Sequence, residues 1–290
     1  MPGIHNGIGT TFRNSAFGGG GDVYTPFFDT FANGLEGFSL DRLVTGYSAP
    51  ILTIVRPSDL ATQDIFLSGN SVDEASILSF VGSEKALVKN LYGQLGSYNL
   101  NQTTVSKMPI IADGGVIMTD NGKPCIVFDG IDDDLEIDAG WTYNKSLISA
   151  LFVSSSLESG TPAAMQLLLA EGHSSQIYMV GYAGNSNFIY TYDSPAVGLF
   201  SIARNTDRHL IDLFANGTTT VQYGLDGANV GSTTTPSSVG VGKLIIGNWQ
   251  SGTTYATNMK FQELIIFDNA DRAAEKSAMR ANINSRYTIY

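Results

Sequence analysis

The chain has 290 residues, 43% of them apolar and only 15% charged, with a formal net charge of −11 and one cysteine. The acidic balance lacks the basic footprint that releases phosphate counterions, which argues against a nucleic-acid partner. No stretch approaches the ~20 apolar residues of a membrane span, and the lone Cys125 excludes an internal disulfide. Little charge and abundant Gly, Ser, Thr and Asn suit many strands joined by tight turns, and disfavour a helical bundle.

Residues 1–21 are Gly-rich and end in Gly18-Gly19-Gly20-Gly21. Such a segment cannot offset its ordering entropy by apolar burial alone, so it reads either as a disordered tail or as an arm that orders against a partner. The first residues have no basic start and no apolar run, which argues against a secretory leader. Phe27, Phe28 and Phe31 follow Pro26 at helical spacing. They predict a short helix that caps the body or anchors the chain on a neighbouring subunit. We place a boundary at residue 34, between this arm and a single domain over 35–290.

Strands are predicted over Ile51 to Arg56, Asp64 to Leu67 and Ala86 to Tyr92. Between the last two, Ser71 and Glu74 have capping-box spacing. Ile77, Leu78 and Val81 then form one face and Gly82 supplies a stop, predicting a short helix. From Pro109 onward strands dominate. Cys125-Ile126-Val127-Phe128 runs into Asp129-Gly130, crosses an acidic turn and returns as Leu135-Glu136-Ile137, a hairpin or corner. Cys125 itself reads as buried packing. Phe188, Tyr190 and Tyr192 alternate with Ile189, Thr191 and Asp193, and Leu210, Asp212 and Phe214 alternate with His209, Ile211 and Leu213. Period two predicts half-buried antiparallel strands. Asn216-Gly217 and Asp226-Gly227 mark turns, and 232–238 reads as an exposed loop. Asp271 to Tyr287 closes the chain as a helix, with Met279, Ile283 and Tyr287 on one face.

The segments Phe128-Asp129-Gly130 with Leu135-Glu136-Ile137, His209-Leu210 with Asn216-Gly217, Leu244-Ile245-Ile246-Gly247 and Glu263-Leu264-Ile265-Ile266-Phe267 come in the order typical of laminin G-like and concanavalin A-like sandwiches. The chain resembles those families there. Tyr47-Ser48-Ala49-Pro50 through Arg56-Pro57-Ser58-Asp59 to Gln63-Asp64-Ile65 resembles the opening of the arabinofuranosidase B-type catalytic domain. That opening also appears in many phage structural proteins. Together the resemblances cover about 45–287 and imply an all-β, antiparallel two-sheet jelly-roll sandwich (concanavalin A-like) with a few short helices. Where the family places a "W-Y-D-Q" motif, Leu91-Tyr92-Gly93-Gln94 stands, so the motif's tryptophan and aspartate are Leu91 and Gly93. The vicinal cysteine pair of those enzymes cannot exist with one cysteine. No nucleophile or acid is carried over.

Glycosidases need two opposed carboxylates at defined spacing. Glu136-Ile137-Asp138 resembles half of the E-I-D-x-x-E signature of concanavalin-fold glucanases, but Ala139-Gly140-Trp141 follows in place of the second glutamate. Glu171, Asp193 and Glu263 stand alone. Asp132, Asp133 and Asp134 form either a solvated turn or a calcium site, since clustered carboxylates suit hard cations. His5, His173 and His209 lack zinc-ligand spacing, and His209 reads as structural. For a sugar-binding surface the candidates are the Asn248-Trp249 turn with Tyr255 and Trp141; Tyr182, Tyr190 and Tyr192 are further aromatics.

The expectation is a bacteriophage virion structural protein, made in the host cytoplasm and carried on the particle. It would be a head-fibre, decoration or tail-associated subunit and a homo-oligomer such as a trimer. Its partners would be other virion proteins and host-surface glycans, and it needs no cofactor unless the acidic turn holds calcium. The alternatives are a glycoside hydrolase of arabinofuranosidase type and a free carbohydrate-binding module.

Overall fold

The computed structural model describes residues 24–159, 166–172, 179–182, 188–193, 196–201, 204–218, 220–234, 239–248 and 255–290. Apart from two-residue bridges, the strands in chain order are β1 (Glu36–Ser39), β2 (Leu52–Val55), β3 (Thr62–Ile65), β4 (Ala86–Tyr92), β5 (Asn99–Asn101), β6 (Ile110–Asp113), β7 (Ile126–Asp129), β8 (Leu135–Asn144), β9 (Ser149–Ser156), β10 (Gln166–Gly172), β11 (Met179–Tyr182), β12 (Phe188–Asp193), β13 (Ala196–Ser201), β14 (Arg208–Ala215), β15 (Thr220–Leu225), β16 (Ala228–Thr234), β17 (Val239–Ile246) and β18 (Asn258–Phe267). The helices are α1 (Phe27–Thr30), α2 (Glu74–Val81) and α3 (Lys276–Tyr287).

The pairings among described strands are antiparallel and form two layers. In the first, β18 has β1 and β7 on one side and β9 on the other, and the layer continues through β14 and β15 to β16. In the second, β3, β2, β4, β5, β8, β17, β10, β11, β12 and β13 pair in that order. β6 joins the layers at one corner, pairing with β4 and, through Ile110, with Val127 of β7. This is the two-sheet sandwich that the sequence predicts. The 129–134 turn is a corner, since β7 pairs with β18 in one layer and β8 with β17 in the other.

Alternation sets the core. Phe152, Ile211, Leu213, Phe261 and Leu264 of the first layer meet Ile54, Val88, Leu91, Leu100, Ile137, Leu244 and Ile246 of the second in one buried cluster. The intervening first-layer residues Leu151, Val153, Leu210, Phe214, Ile265 and Phe267 point the other way. There they join a second buried cluster with Met279, Ile283 and Tyr287 of α3 and with Phe27, Phe28 and Phe31. The strands β9, β14 and most of β18 are therefore buried on both faces, whereas period two predicts one half-exposed face. Two helices cover the outer side.

That packing corrects the anchor reading. Phe27, Phe28 and Phe31 are at most 8% exposed and pack on this chain's own sheet, with Phe27 and Phe28 ring centroids 6.2 and 5.9 Å from that of Phe267. Their apolar surface is already spent and is not presented to another subunit. Residue 34 thus falls inside the packed body.

Three local expectations also shift. α2 is capped by Asp73, whose carboxylate accepts the Ser76 N–H at 3.1 Å, and not by Ser71, which lies in a two-residue bridge. Gly82 ends it at φ +60°, where glycine is unstrained. α3 starts at Lys276, and Asp271 instead holds the turn before it through the Ala273 N–H at 2.8 Å. Ser232 is not in a loop: it pairs with Gln222, and the strand runs on to Thr234, which pairs with Thr220, while 235–238 lie outside the described residues.

Candidate functional site

The acidic corner is built on Asp129-Gly130. Gly130 has φ +75°, and a Cβ there would sit 2.8 Å from that of Asn258. Only glycine meets both demands. The turn folds back because Asp129 Oδ1 accepts the Ile131 N–H at 2.7 Å and Asp133 Oδ2 accepts the Asp129 N–H at 2.9 Å. Carboxyl oxygens of Asp129, Asp132 and Asp133 thereby lie within 4.8 Å of one another. Burial, followed by the neighbouring Asp129 charge, pushes the Asp133 carboxyl up to about 7. These three groups are the ones that a hard cation can bridge.

Asp134 does not join them. It is fully buried and takes a hydrogen bond from Gln102 Nε2. Adjacent residues entering a strand point to opposite faces, so the run Asp132-Asp133-Asp134 splits and Asp129 takes the third place. The cue in the sequence is the Asp-Gly pair, whose aspartate folds its side chain back over the turn.

The aromatic candidates divide similarly. Trp141 is 1% exposed, edge-on to Tyr98 at 4.7 Å and 5.7 Å from Tyr143. It is a core residue and offers no face to a sugar. Asn248 is fully buried after Gly247, whose φ of +91° and contact with the Phe128 ring leave no room for a Cβ. Tyr255 is half-exposed, just before Thr257 closes the loop onto the Gly247 carbonyl at 2.9 Å. Trp249, His5 and His173 lie outside the described residues, as do the side chains of Glu171, Asp193, Tyr182, Tyr190 and Tyr192. His209 lies against Asp226 at 2.7 Å and Asn205 at 2.6 Å, a structural setting. Buried Cys125 has its thiol pushed up to about 12 by burial, so it is no nucleophile at neutral pH.

Several acids that sequence reading left alone or did not single out hold the fold. Glu263 of β18 pairs through both oxygens with Arg286 of α3, each contact 2.5 Å. Asp212 of β14 pairs likewise with Arg280 at 2.7 and 2.8 Å. Glu36 of β1 was not singled out by sequence, and it is fully buried. Its Oε1 accepts the N–H groups of Gly37 and Leu95 at 3.0 and 2.7 Å, and its Oε2 those of Ser97 and Tyr98 at 2.8 and 3.0 Å. The carboxylate sits against Gly93, where a Cβ would lie 2.2 Å from Glu36 Cδ. Position 93, an aspartate in the resembled motif, thus has its space filled by a glutamate from another strand.

No protein-family model matches this sequence, and no curated protein matches it. Solved structures do match in fold. A mutant GH54 α-L-arabinofuranosidase soaked with 4-nitrophenyl α-L-arabinofuranoside superposes with a TM-score of 0.67 at 12% identity, over 89% of this chain and 64% of that one. A GH54 α-L-arabinofuranosidase soaked with a cyclic sulfate inhibitor gives 0.66 at 13% identity, with the same coverage. An arabinofuranosidase complexed with arabinofuranosyl-α-1,2-xylobiose gives 0.59 at 12% identity, over 89% and 64% of the two chains. The chain thus spans under two thirds of each enzyme's length, and what it shares with them is the antiparallel β-sandwich.

Proposed function

We propose that this chain is a structural subunit of a bacteriophage particle, and that its sandwich binds host-surface glycans without hydrolysing them. The observation that carries the non-hydrolytic part is the filling of position 93. Glu36 accepts four backbone N–H bonds there, so its lone pairs are committed and it cannot act as nucleophile or proton donor. Glu263 and Asp212 are likewise committed to arginines under α3. Asp133 holds its proton near neutrality, as a general acid must, but at 6% exposure it cannot reach a glycosidic oxygen.

The particle assignment rests on the likeness of residues 47–65 to openings shared by phage structural proteins and on the Gly-rich start, which suits a tether. As a subunit the chain would be a homo-oligomer whose partners are other virion proteins. Mass spectrometry of purified particles tests this: the chain should be present, and its absence would remove the particle reading. Printed glycans probed with the purified chain test the second half.

The alternative is a hydrolase of arabinofuranosidase type, favoured by the TM-score of 0.67. Turnover of 4-nitrophenyl arabinofuranoside by the purified chain would establish it and overturn the non-hydrolytic reading.

A further inference from the structure

The two outer faces of the sandwich are unlike. That of the first sheet is apolar and lies under α1 and α3. That of the second carries a straight polar row. Asp64 of β3 is directly opposite Thr53 of β2, Thr53 opposite Asn90 of β4, Asn90 opposite Asn101 of β5, and Asn101 opposite Glu136 of β8. Directly opposed residues share a face, so these side chains line up across five strands. Four interstrand steps of about 4.8 Å make the row roughly 19 Å long. The neighbours Leu52, Ile54, Leu91 and Leu100 are buried in the core on the opposite face, which fixes the row outward.

The row is ordered by its own hydrogen bonds. Asn90 Nδ2 donates to Tyr92 Oη at 3.2 Å, Tyr92 Oη lies 2.8 Å from Thr53 Oγ1, and Thr53 Oγ1 donates to Asp64 Oδ1 at 2.6 Å. With one proton per hydroxyl, donation runs from Asn90 through Tyr92 and Thr53 and ends on the Asp64 carboxylate, which accepts. At the other end Asn101 Nδ2 donates to the Glu136 carbonyl at 3.1 Å, and Lys243 Nζ holds Glu136 Oε1 at 2.8 Å. Asp64 is exposed, and Asn90, Tyr92 and Asn101 are half-exposed.

We infer that this row is a platform for a neutral oligosaccharide lying across the strands of the second sheet. The inference rests on the glycan-binding reading above and names its site and ligand class. Sugar hydroxyls both donate and accept. Side-chain amides offer donors and an acceptor, and carboxylates accept strongly, so amides between two carboxylates match a run of hydroxyls. The charge pattern selects neutral sugars. Lys243 offsets Glu136, Asp64 remains, and the chain carries −11, a field that repels sialylated or sulfated glycans. Of the members named, only Tyr92 carries a ring, which falls short of the broad aromatic and aliphatic centre that a protein partner needs. Its internal hydrogen bonds fix the side chains in advance and reduce the entropy lost on binding.

The test is a printed array of neutral and acidic glycans, followed by calorimetry on the best ligand with wild type, Asn90→Ala/Asn101→Ala and the exposed-site variant Asp64→Ala. We expect a neutral glycan to bind and each variant to weaken it about tenfold or more, with an unchanged circular dichroism spectrum. Since Asp64 is exposed, its variant reports on binding even where the double variant misfolds. A neutral ligand whose affinity the variants leave intact would overturn the platform and leave the glycan-binding reading standing. A preference for acidic glycans would overturn the ligand class. Binding of no glycan by the wild type would overturn both.

Discussion

Glu36 occupies the space that a side chain at position 93 would need. A Cβ on Gly93 would lie 2.2 Å from Glu36 Cδ and 2.4 Å from the Tyr98 carbonyl oxygen, so both a side chain and the backbone stand in its way. Gly93→Ala should therefore destabilise the chain by about 1–3 kcal/mol through overpacking. Glu36→Ala should also destabilise, because the N–H groups of Leu95, Ser97 and Tyr98 lose their acceptor. The two effects share one space and should not add: in the Glu36→Ala background, Gly93→Ala should have a smaller effect. Urea denaturation of the four proteins measures the coupling. Strict additivity would mean that the glutamate does not determine the glycine.

Arg286 and Glu263 form a buried pair, which also receives the Tyr287 hydroxyl at 3.1 Å and the Ser39 hydroxyl at 2.9 Å. Burial opposes the guanidinium charge, and the Glu263 carboxylate more than offsets it, so Arg286 stays protonated at any ordinary pH. Arg286→Met leaves a carboxylate buried without its counter-charge and should destabilise by about 3–5 kcal/mol. Replacing both, Arg286→Met with Glu263→Leu, should recover most of that loss. Thermal denaturation of the single and double variants decides it. A double variant as unstable as the single would show that the pair itself holds α3 down.

The pattern of strands and the faces of the helices were legible because each is a local periodicity. Ile211 and Leu213 alternate with Leu210 and Phe214, and Met279, Ile283 and Tyr287 recur at helical spacing; the strand and the helix both form there. What covers a face is not local. Nothing near Asp212 in sequence announces Arg280, 68 residues on, so a strand that reads as half-exposed is buried on both sides. Trp141 was misread for a different reason. The strand passes through Asp138-Ala139-Gly140 as a bulge, which no local periodicity marks. Its pairing moves from Ile137–Leu244 to Trp141–Gly242, inserting two extra residues. Two extra residues preserve parity, so Trp141 and Tyr143 face the core like Leu135 and Ile137. In the acidic corner residue type was legible but direction was not, hence Asp134 inside and Asp129 in its place.

The burial of α1 sets where the chain can be cut. Tyr24 donates to the Arg42 carbonyl, and Phe27 is fully buried against Phe31 and Phe267. Deleting residues 1–23 removes nothing from the described core and should leave the melting temperature within a few degrees of wild type. Extending the deletion through Phe31 should lower it sharply, and Phe27→Ala alone should destabilise by about 3–5 kcal/mol. Calorimetry separates the cases. If residues 1–23 tether the chain to a particle, the shorter deletion should abolish incorporation while the sandwich stays folded.

The Asp133 carboxyl makes stability depend on pH in the direction opposite to an ordinary salt-bridged acid. Its folded pKa is pushed up to about 7, above the usual carboxylate range, by burial and then by Asp129, Asp132 and Asp134. Below the unfolded value both states hold the proton and nothing is lost. As pH rises from about 4 to 7 the folded state binds more protons than the unfolded one, so stability falls; above 7 the loss levels off. At about 1.4 kcal/mol per unit the loss reaches at most roughly 4 kcal/mol. Asp133→Asn keeps an oxygen that can accept the Asp129 N–H and removes the titration. It should be more stable than wild type at pH 8, nearly equal at pH 4, and flatter between. Calcium probes the same carboxyl groups: if Asp129, Asp132 and Asp133 bridge a cation, millimolar calcium at pH 8 should raise the wild-type melting temperature and leave Asp133→Asn unmoved. A wild type indifferent to calcium would remove the cation. A wild type whose stability does not fall between pH 4 and 7 relative to Asp133→Asn would show that the carboxyl is ionised in the folded chain.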